Sequence, residues 1–296
     1  MENIAAQNHA VLIPTVGRPD VLADTLASLG RQTPPPGLVV VVYADEQDLP
    51  SRATLGCSGI NFIGGRRGLT CQRNDGIAAL PANTKLVTFL DDDIELAPDY
   101  LEKCREFLNR HPEVVAATGI LLADGKITRE SATQLLQEPM RNPPSSEYWP
   151  AGGLYGCNMT FRREVFEKER FDERLRLYGF MEDYDFSIRS RRHGETVSLG
   201  ACRAVHLAEP AGRISNRRRG FAQIMNSAYL TKKGVVTRRG FWTNYVWRIM
   251  VHNNLLGSFA VAGERRLRWE RLRGNFDAVF YLLRGRIEPE LVEKIK

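Results

Sequence analysis

The chain has 296 residues, of which 43% are hydrophobic and 26% are charged, a composition typical of a globular protein with one large domain or a domain and an appendage. No stretch approaches the roughly 20 apolar residues of a membrane-spanning helix, and the N-terminus lacks the basic and apolar regions of a signal peptide. The five cysteines form no C-x-x-C or Cys/His zinc pattern, so we expect reduced thiols and a cytoplasmic location.

The net charge of +6 is unevenly distributed. Residues 213–296 contain 18 Lys and Arg against 6 Asp and Glu, a net charge of +12, whereas residues 1–212 carry a net charge of −6. A basic segment of this kind predicts an anionic partner. No helix-turn-helix, RNP or zinc-finger motif accompanies it, so we expect a membrane surface or a phosphorylated lipid rather than nucleic acid.

The first part of the chain alternates between short apolar runs and amphipathic segments. The β-branched or apolar runs predict buried strands, and the segments with apolar residues at helical spacing predict helices. In chain order the pattern gives strand 10–14, helix 20–30, strand 38–43, helix 70–80, strand 85–90 and helix 98–109. This order predicts a parallel α/β sheet, in which ligands bind beyond the carboxyl ends of the strands.

The second part of the chain is less regular. Residues 131–150 are rich in Pro, Ser, Asn and Gln and predict a long loop or flap. A turn, a strand and a short helix are expected over 152–168, a helix is expected to end at Gly194, and two short strands over 196–207. Residues 221–296 predict helices, which we interpret as a C-terminal helical extension.

Three consecutive carboxylates, Asp91, Asp92 and Asp93, follow the strand predicted at 85–90. Two of them at a strand end offer hard oxygen ligands for Mg²⁺ or Mn²⁺. A solvated acidic loop or a set of helix caps is the alternative interpretation. The position directly after a buried strand favours the metal site.

Two further features could complete a reactive site. Glu182 and Asp183 precede a predicted helix, where paired carboxylates serve either as a general base or as caps that favour the helix dipole. His206 ends a predicted strand and is either a packed histidine or a nitrogen ligand, and a nitrogen ligand would favour Mn²⁺.

The ordered set of motifs resembles the family two glycosyltransferases of GT-A fold over about residues 10–210. The matching stretches are VLIPTVGRPDVLADTLASL, VVVVYADEQD, GLTCQRNDGIAAL, TFLDDDIELAPDYLEK, GGLYGCNMTFRREVFEK, GFMEDYDFSIRSRRHG and AVHL. The resemblance implies an α/β fold of GT-A type, with a mostly parallel central sheet flanked by helices. The implied domains are a catalytic domain over 1–212, with a Rossmann-like nucleotide-binding half at about 1–120 and an acceptor half at about 121–212, and a basic, aromatic-rich helical region over 213–296.

The resemblance also implies roles for individual residues. Donor-binding residues would be Pro14, Thr15, Arg18, Asp45, Arg73, Asn74, Asp91, Asp92 and Arg213. The family has consecutive acids after its second strand, where this chain has Tyr43-Ala44-Asp45-Glu46, so the base contact by Asp45 and the identity of the base are left open. Residues beneath the donor sugar and acceptor would be Gly153, Cys157 and Asn158, for which a turn and a core strand are the alternative.

The implied chemistry is inverting transfer of a sugar from a UDP-, dTDP- or GDP-linked donor to a glycan or lipid-linked acceptor, as in bacterial polysaccharide or glycolipid assembly. Asp183 would be the catalytic base beside Glu182, and Mn²⁺ or Mg²⁺ would bind Asp91 or Asp92 together with Asp93 and His206. The alternatives are a sugar nucleotidyltransferase, which lacks support because no Gly-rich loop follows the first strand, and an inactive carbohydrate-binding protein of the same fold.

The C-terminal region combines arginines with aromatic residues, which is typical of helices that lie at a membrane interface. The aromatic residues are Phe241, Trp242, Tyr245, Trp247 and Trp269. We therefore expect contact with the inner face of the cell membrane. The alternative is that these side chains pack on the catalytic domain or on a second subunit of an oligomer.

Overall fold

The computed structural model describes residues 8–51, 59–140, 143–209, 214–260 and 262–296. The chain divides by its internal contacts into two compact units. The first unit comprises residues 1–67, 71–170 and 186–212, and the second comprises residues 68–70, 171–185 and 213–296. The predicted domain boundary at residue 212 stays a prediction.

All strands of the described residues belong to the first unit. They are β1 (His9–Thr15), β2 (Leu38–Tyr43), β3 (Ile60–Gly64), β4 (Leu86–Leu90), β5 (Ile94–Leu96), β6 (Val114–Asp124), β7 (Tyr148–Pro150), β8 (Asn158–Arg162) and β9 (Glu195–His206). The described residues form one nine-stranded sheet in the order β3-β2-β1-β4-β8-β6-β9-β5, with β7 paired to β9. The predicted α/β fold class is confirmed.

The two halves of the sheet differ in strand direction. Strands β3, β2, β1 and β4 are parallel neighbours, as the alternation of strands and helices predicts. The second half is mixed, because β8 is antiparallel to both β4 and β6 whereas β6 and β9 are parallel. Strand β2 is buried along Val39–Val42, as expected for a β-branched run covered on both faces.

The helices of the chain, in order, are α1 (Pro19–Gly30), α2 (Leu69–Ala78), α3 (Tyr100–Arg110), α4 (Arg129–Gln137), α5 (Val165–Lys168), α6 (Glu182–Ser190), α7 (Asn216–Lys232), α8 (Arg238–Gly240), α9 (Gly257–Ala260) and α10 (Arg265–Leu283). A π-helix spans Phe241–Leu256, and short 3-10 helices span Glu46–Asp48, Ala262–Glu264 and Pro289–Lys294. Within the described residues, no helix is long and apolar enough to cross a membrane.

Amphipathic spacing explains the helices that cover the sheet. In α1 the residues Leu22, Leu26 and Leu29 are fully buried and recur at the spacing of one helical face. Together with Leu101 and Leu108 of α3 they join the main core of the first unit. This core fixes the strand ends at which the candidate site lies.

Two sequence expectations are wrong. Residues 131–150 are not a single loop, because α4 ends at Gln137 and β7 pairs with β9. The two strands expected over 196–207 are one strand, β9, whose register against β6 shifts between Gly119 and Ile120. The pairing with β6 skips from Leu199 to Arg203 without ending the strand.

The second unit is built around the packing of α7 against α10. Its core contains Phe221, Ile224 and Met225 of α7 and Ala278 of α10. Two glycines allow the helices to approach closely, since a Cβ on Gly274 would lie 1.9 Å from the Arg217 carbonyl oxygen and one on Gly220 would lie 1.9 Å from that of Arg271. No larger residue fits these positions without a backbone shift.

Candidate active site

The triple aspartate lies between two strands of the sheet. Asp91 follows β4, and Asp93 directly precedes β5. Strand β5 pairs with β9 in antiparallel register, with Ile94 opposite His206. This short strand therefore brings His206 beside Asp93, although the two residues are far apart in sequence.

Asp91, Asp93 and His206 form a cluster in which one ligand atom from each residue lies within 4.8 Å of the others. His206 Nε2 lies 3.2 Å from Asp93 Oδ1 and 3.8 Å from Asp91 Oδ2. Three of the four metal-ligand candidates of the sequence analysis are thus brought together, and the second aspartate of the group is Asp91 rather than Asp92.

The two oxygens of Asp93 have different environments. Oδ2 accepts hydrogen bonds from Arg18 Nη1 at 3.0 Å and from the Glu209 backbone N–H at 2.9 Å. The Glu209 N–H reaches Oδ2 after Ala208, whose φ of 57° is uncommon for a residue with a Cβ. Oδ1 is buried and accepts no well-formed hydrogen bond from the described residues, and it is the oxygen that faces His206.

The charges of the cluster are strongly coupled. Burial alone would raise the pKa of Asp93, but the neighbouring His206 imidazole and the positive charge of Arg18 lower it to about 2. Burial alone would lower the pKa of His206, whereas Asp93, Asp91 and Asp124 raise it to about 9. The carboxylates therefore favour a positive charge at this position.

Asp92 does not belong to the cluster and is fully buried. Its Oδ2 accepts a hydrogen bond from Thr15 Oγ1 at 2.6 Å, and Arg18 forms an ion pair with it. Its backbone carbonyl accepts from Thr25 Oγ1 at 2.7 Å. Asp92 thereby ties the triple aspartate to the end of β1 and to α1, and Arg18 bridges Asp92 and Asp93.

Arg73 approaches the cluster from α2 with only 1% of its surface exposed. Its Nη2 donates to the Gly156 carbonyl at 2.9 Å and lies 3.6 Å from Asp91 Oδ1. The Asp91 backbone N–H donates to the Cys157 carbonyl at 3.3 Å. Asp91 is thus positioned by both its main chain and its side chain.

The remaining donor-site candidates differ in exposure. Pro14 is buried within β1, whereas Asp45 is exposed and its carboxylate accepts from the Gln47 N–H at 3.1 Å. Asn74 and Gly153 are half-buried. Arg213 lies outside the described residues.

Cys157 and Asn158, the other candidates beneath the donor sugar, are buried. Cys157 belongs to the main core. The Asn158 side chain accepts from Thr118 Oγ1 at 2.6 Å and donates to the Gly119 carbonyl at 3.3 Å. Both side chains hold the start of β8 in place.

Glu182 and Asp183 begin α6 and belong to the second unit. Asp183 Oδ1 accepts from the Tyr184 N–H at 2.7 Å. Just before them, Leu177 and Met181 have positive φ angles of 58° and 70°. Such conformations are unfavourable for side chains of this size and persist where the surrounding structure holds them, often near functional groups.

The cluster of Asp91, Asp93 and His206 has the chemistry of a divalent cation site. It offers two carboxylates and one imidazole, which are ligands for Mn²⁺ and, through the oxygens, for Mg²⁺. The buried Oδ1 of Asp93 fits such an ion, because a buried carboxylate oxygen that accepts no well-formed hydrogen bond carries a free-energy cost that a cation removes.

Sequence reasoning missed two residues around His206. Asp124 ends β6, and its Oδ1 lies 2.8 Å from His206 Nδ1. Tyr155 donates from its hydroxyl to Asp124 Oδ2 at 3.0 Å. The available signal was an aspartate at the end of an apolar run, but its meaning depends on the register of β6 against β9.

The central sheet flanked by helices has the GT-A fold, the class to which the structures of similar fold belong. The sequence model of glycosyl transferase family 2 matches residues 10–170, more than half of the chain. The chain therefore belongs to this family and is a glycosyltransferase, as the sequence resemblance predicts.

The comparisons with known proteins agree with this assignment. The chain is 22% identical over 258 residues to the glucosyl-dolichyl phosphate glucuronosyltransferase of Haloferax volcanii, covering 79% of this chain and 73% of that protein. The fold is similar to S. aureus TarS in complex with UDP-GlcNAc, with a TM-score of 0.56 and 13% identity over 97% of this chain and 90% of that one. It is also similar to GalNAc-T7 with UDP, GalNAc and Mn²⁺, with a TM-score of 0.55 and 12% identity over 95% of this chain and 58% of the other.

Proposed function

We propose that this glycosyltransferase moves a sugar from a nucleoside diphosphate sugar to an acceptor hydroxyl with inversion at the anomeric carbon. The observation that carries the proposal is the convergence of Asp91, Asp93 and His206 at one edge of the sheet. The two structures of similar fold were determined with UDP-GlcNAc or with UDP, GalNAc and Mn²⁺, which supports a donor of the same class.

Asp91, Asp93 and His206 would hold the divalent cation. When bound, the cation supplies positive charge against the donor diphosphate and so favours departure of the leaving group. The imidazole nitrogen favours Mn²⁺ over Mg²⁺. Arg18 keeps Asp93 ionised, and Arg73, next to Asp91, adds a further positive charge near the donor.

Asp183 would act as the general base. Its carboxylate accepts the proton of the acceptor hydroxyl while that oxygen forms a bond to the anomeric carbon. The bond from this carbon to the phosphate oxygen breaks, and the nucleoside diphosphate leaves with the electron pair. A carboxylate is a far weaker base than a sugar alkoxide, so proton transfer accompanies bond formation. A single displacement inverts the configuration.

Two measurements test this function. Thermal unfolding with UDP-, dTDP- and GDP-sugars, each with and without Mn²⁺, should reveal one donor class that raises the melting temperature only with the metal, because a ligand of the folded state stabilises it. With that donor and an acceptor, the released product should be a nucleoside diphosphate. Release of pyrophosphate would indicate the nucleotidyltransferase alternative, and no turnover with any donor would favour an inactive binding protein.

The acceptor is proposed to be lipid-linked, with the enzyme at an anionic membrane surface. The Haloferax relative is named for a glucosyl-dolichyl phosphate substrate. In α10, the residues Trp269, Arg273, Phe276, Phe280 and Leu283 recur at alternating spacings of four and three, and Phe276, Phe280 and Leu283 are 55%, 49% and 83% exposed. This spacing aligns them along one face of the helix, which we call the α10 stripe.

The charge around the α10 stripe favours anionic lipid as its partner. Arg273 lies within the stripe, and the Arg284 guanidinium lies 3.6 Å from the centroid of the Phe280 ring. Two copies of the stripe would bring these arginines towards each other, whereas lipid phosphates would neutralise them. Of the aromatic residues that the sequence suggested, Phe241 and Tyr245 pack against the core of the second unit, and Trp242 and Trp247 are exposed.

Flotation with phosphatidylglycerol vesicles at low salt tests the surface. The wild-type chain should float with the vesicles, and the double variant Phe280→Asp/Leu283→Asp should remain in the dense fraction. Leu267→Asp is the matched control, because Leu267 is a 42% exposed leucine on the same helix that lies outside the stripe. Absence of flotation by the wild type would refute membrane contact, and self-association lost in the double variant would assign the stripe to a second copy.

A further inference from the structure

His206 reaches the cation site through only one of its two ring nitrogens. Nε2 faces Asp93 and Asp91, whereas Nδ1 lies 2.8 Å from Asp124 Oδ1. An ionised carboxylate can only accept hydrogen bonds, so Nδ1 carries a proton in this contact. A histidine binds a cation as the neutral imidazole, and with the proton on Nδ1 the lone pair of that imidazole is on Nε2. Asp124 thus selects the tautomer that a cation at the cluster requires.

The backbone places Asp124 for this contact. Strands β6 and β9 are parallel, and the register sets Asp124 opposite His206. The next residue, Gly125, has a φ of 73°, and its N–H donates to the His206 carbonyl at 2.8 Å. Glycine adopts such a φ without strain, so the chain can turn immediately after Asp124 while remaining bonded to β9.

A second side chain holds the Asp124 carboxylate itself. Tyr155 donates from its hydroxyl to Asp124 Oδ2 at 3.0 Å, so each carboxylate oxygen has its own partner. The Asp124 side chain is 48% exposed, and the contact to His206 therefore competes with water. A carboxylate anchored at its other oxygen loses less orientational freedom when it binds the imidazole.

We propose that Asp124 is the positioning residue that fixes the orientation and tautomer of His206 for a divalent cation, with Tyr155 holding Asp124. This inference rests on the proposed cation site at Asp91, Asp93 and His206. Carboxylates that accept a hydrogen bond from a metal-binding histidine increase its basicity as a ligand, and their loss typically costs 10- to 100-fold in metal affinity.

The test is a Mn²⁺ titration monitored by the electron paramagnetic resonance of the free ion. Asp124→Ala should bind Mn²⁺ about 10- to 100-fold more weakly than the wild type. Asp124→Asn should lose less Mn²⁺ affinity, because its amide oxygen can still accept a hydrogen bond from the Nδ1–H of His206. Tyr155→Phe should lose the least Mn²⁺ affinity of the three variants. Thermal unfolding in the presence of a chelator should be almost unchanged in all three variants, since the Asp124 side chain and Tyr155 are each 48% exposed.

The chain contains a matched control pair. Glu113 Oε1 lies 2.9 Å from His111 Nδ1 and the Glu113 side chain is also 48% exposed, but neither residue belongs to the cluster. Glu113→Gln should leave Mn²⁺ affinity unchanged. Equal Mn²⁺ affinity in the wild type and Asp124→Ala would overturn the role of Asp124 and leave the cation site standing. No Mn²⁺ binding by the wild type would instead refute the cation site.

Discussion

Two charged regions of this glycosyltransferase differ in what surrounds their charged groups. At the end of β4, Asp92 and Asp93 are almost fully buried, and Arg18 forms ion pairs with both. Along α10, arginines and apolar side chains are exposed together. A buried carboxylate needs specific partners at short range, whereas an exposed charge is screened by water and salt.

The contrast indicates different kinds of ligand. The cluster gathers two carboxylates and one imidazole, with one ligand atom from each residue within 4.8 Å of the others, which suits a single ion. The exposed α10 stripe has area and charge without a defined cavity, which suits an extended anionic surface. The predictions below test residues of the first unit and residues of the second unit separately.

The largest effect is expected at Asp183, which belongs to the second unit. Asp183→Asn keeps the size of the side chain but removes the proton acceptor, so turnover should fall by about 10²- to 10⁴-fold. Steady-state kinetics with the identified donor measures this loss. Mn²⁺-dependent nucleotide binding should persist in the variant, and full turnover would exclude Asp183 as the base.

The packing of α7 against α10 gives the next largest effect. Gly274→Ala would place a Cβ 1.9 Å from the Arg217 carbonyl oxygen, so the helices must separate, and we expect a loss of about 3 kcal/mol in the free energy of unfolding. Urea denaturation measures this change in the free energy of unfolding. Gly263→Ala is the control, since a Cβ on Gly263 meets nothing within 4 Å. Equal stability of the two variants would mean that the helices do not approach as described.

A smaller effect concerns a buried imidazole in the first unit. Burial, reinforced by the positive charge of Arg105, lowers the pKa of His9 to about 3, and His9 Nε2 lies 2.7 Å from Thr88 Oγ1. Below the unfolded pKa of about 6.5 the unfolded chain binds a proton that the folded chain does not, so stability falls as the pH decreases towards 3.

The variant His9→Gln removes this titrating group. Between pH 7 and pH 5, the free energy of unfolding of the wild type should decrease by about 2 kcal/mol more than that of the variant. Denaturation at the two pH values measures the difference, and the other titrating groups cancel in the comparison. Equal decreases in both proteins would show that His9 titrates normally in the folded state.

The sequence predicted the elements with strong patterns and missed those that depend on pairing. The apolar runs of β1, β2 and β4 and the leucine spacing of α1 were sufficient to locate these elements. Strand β5 is three residues long, so its sequence shows no recognisable period, and it becomes a strand only through its pairing with β9.

In the candidate site, too, some residues could be predicted from the sequence pattern and others depend on strand pairing. Asp93 and His206 were predicted from their positions at strand ends, and the structure places them 3.2 Å apart. Asp124 could not be predicted, because its contact with His206 follows from the β6–β9 register, including a register shift that the sequence interpretation took for a strand end. The choice between Asp91 and Asp92 also required the structure, since only side-chain direction separates two adjacent aspartates.

The most direct test of the central claim is calorimetric titration of a nucleoside diphosphate into the wild type and Asp93→Asn, each with and without Mn²⁺. Asn keeps the shape of the side chain but removes the charge that a cation requires. We expect Mn²⁺ to tighten binding to the wild type at least tenfold, about 1.4 kcal/mol, and to have little effect on the variant. Equal tightening in both proteins, or none in the wild type, would contradict a cation site at Asp91, Asp93 and His206.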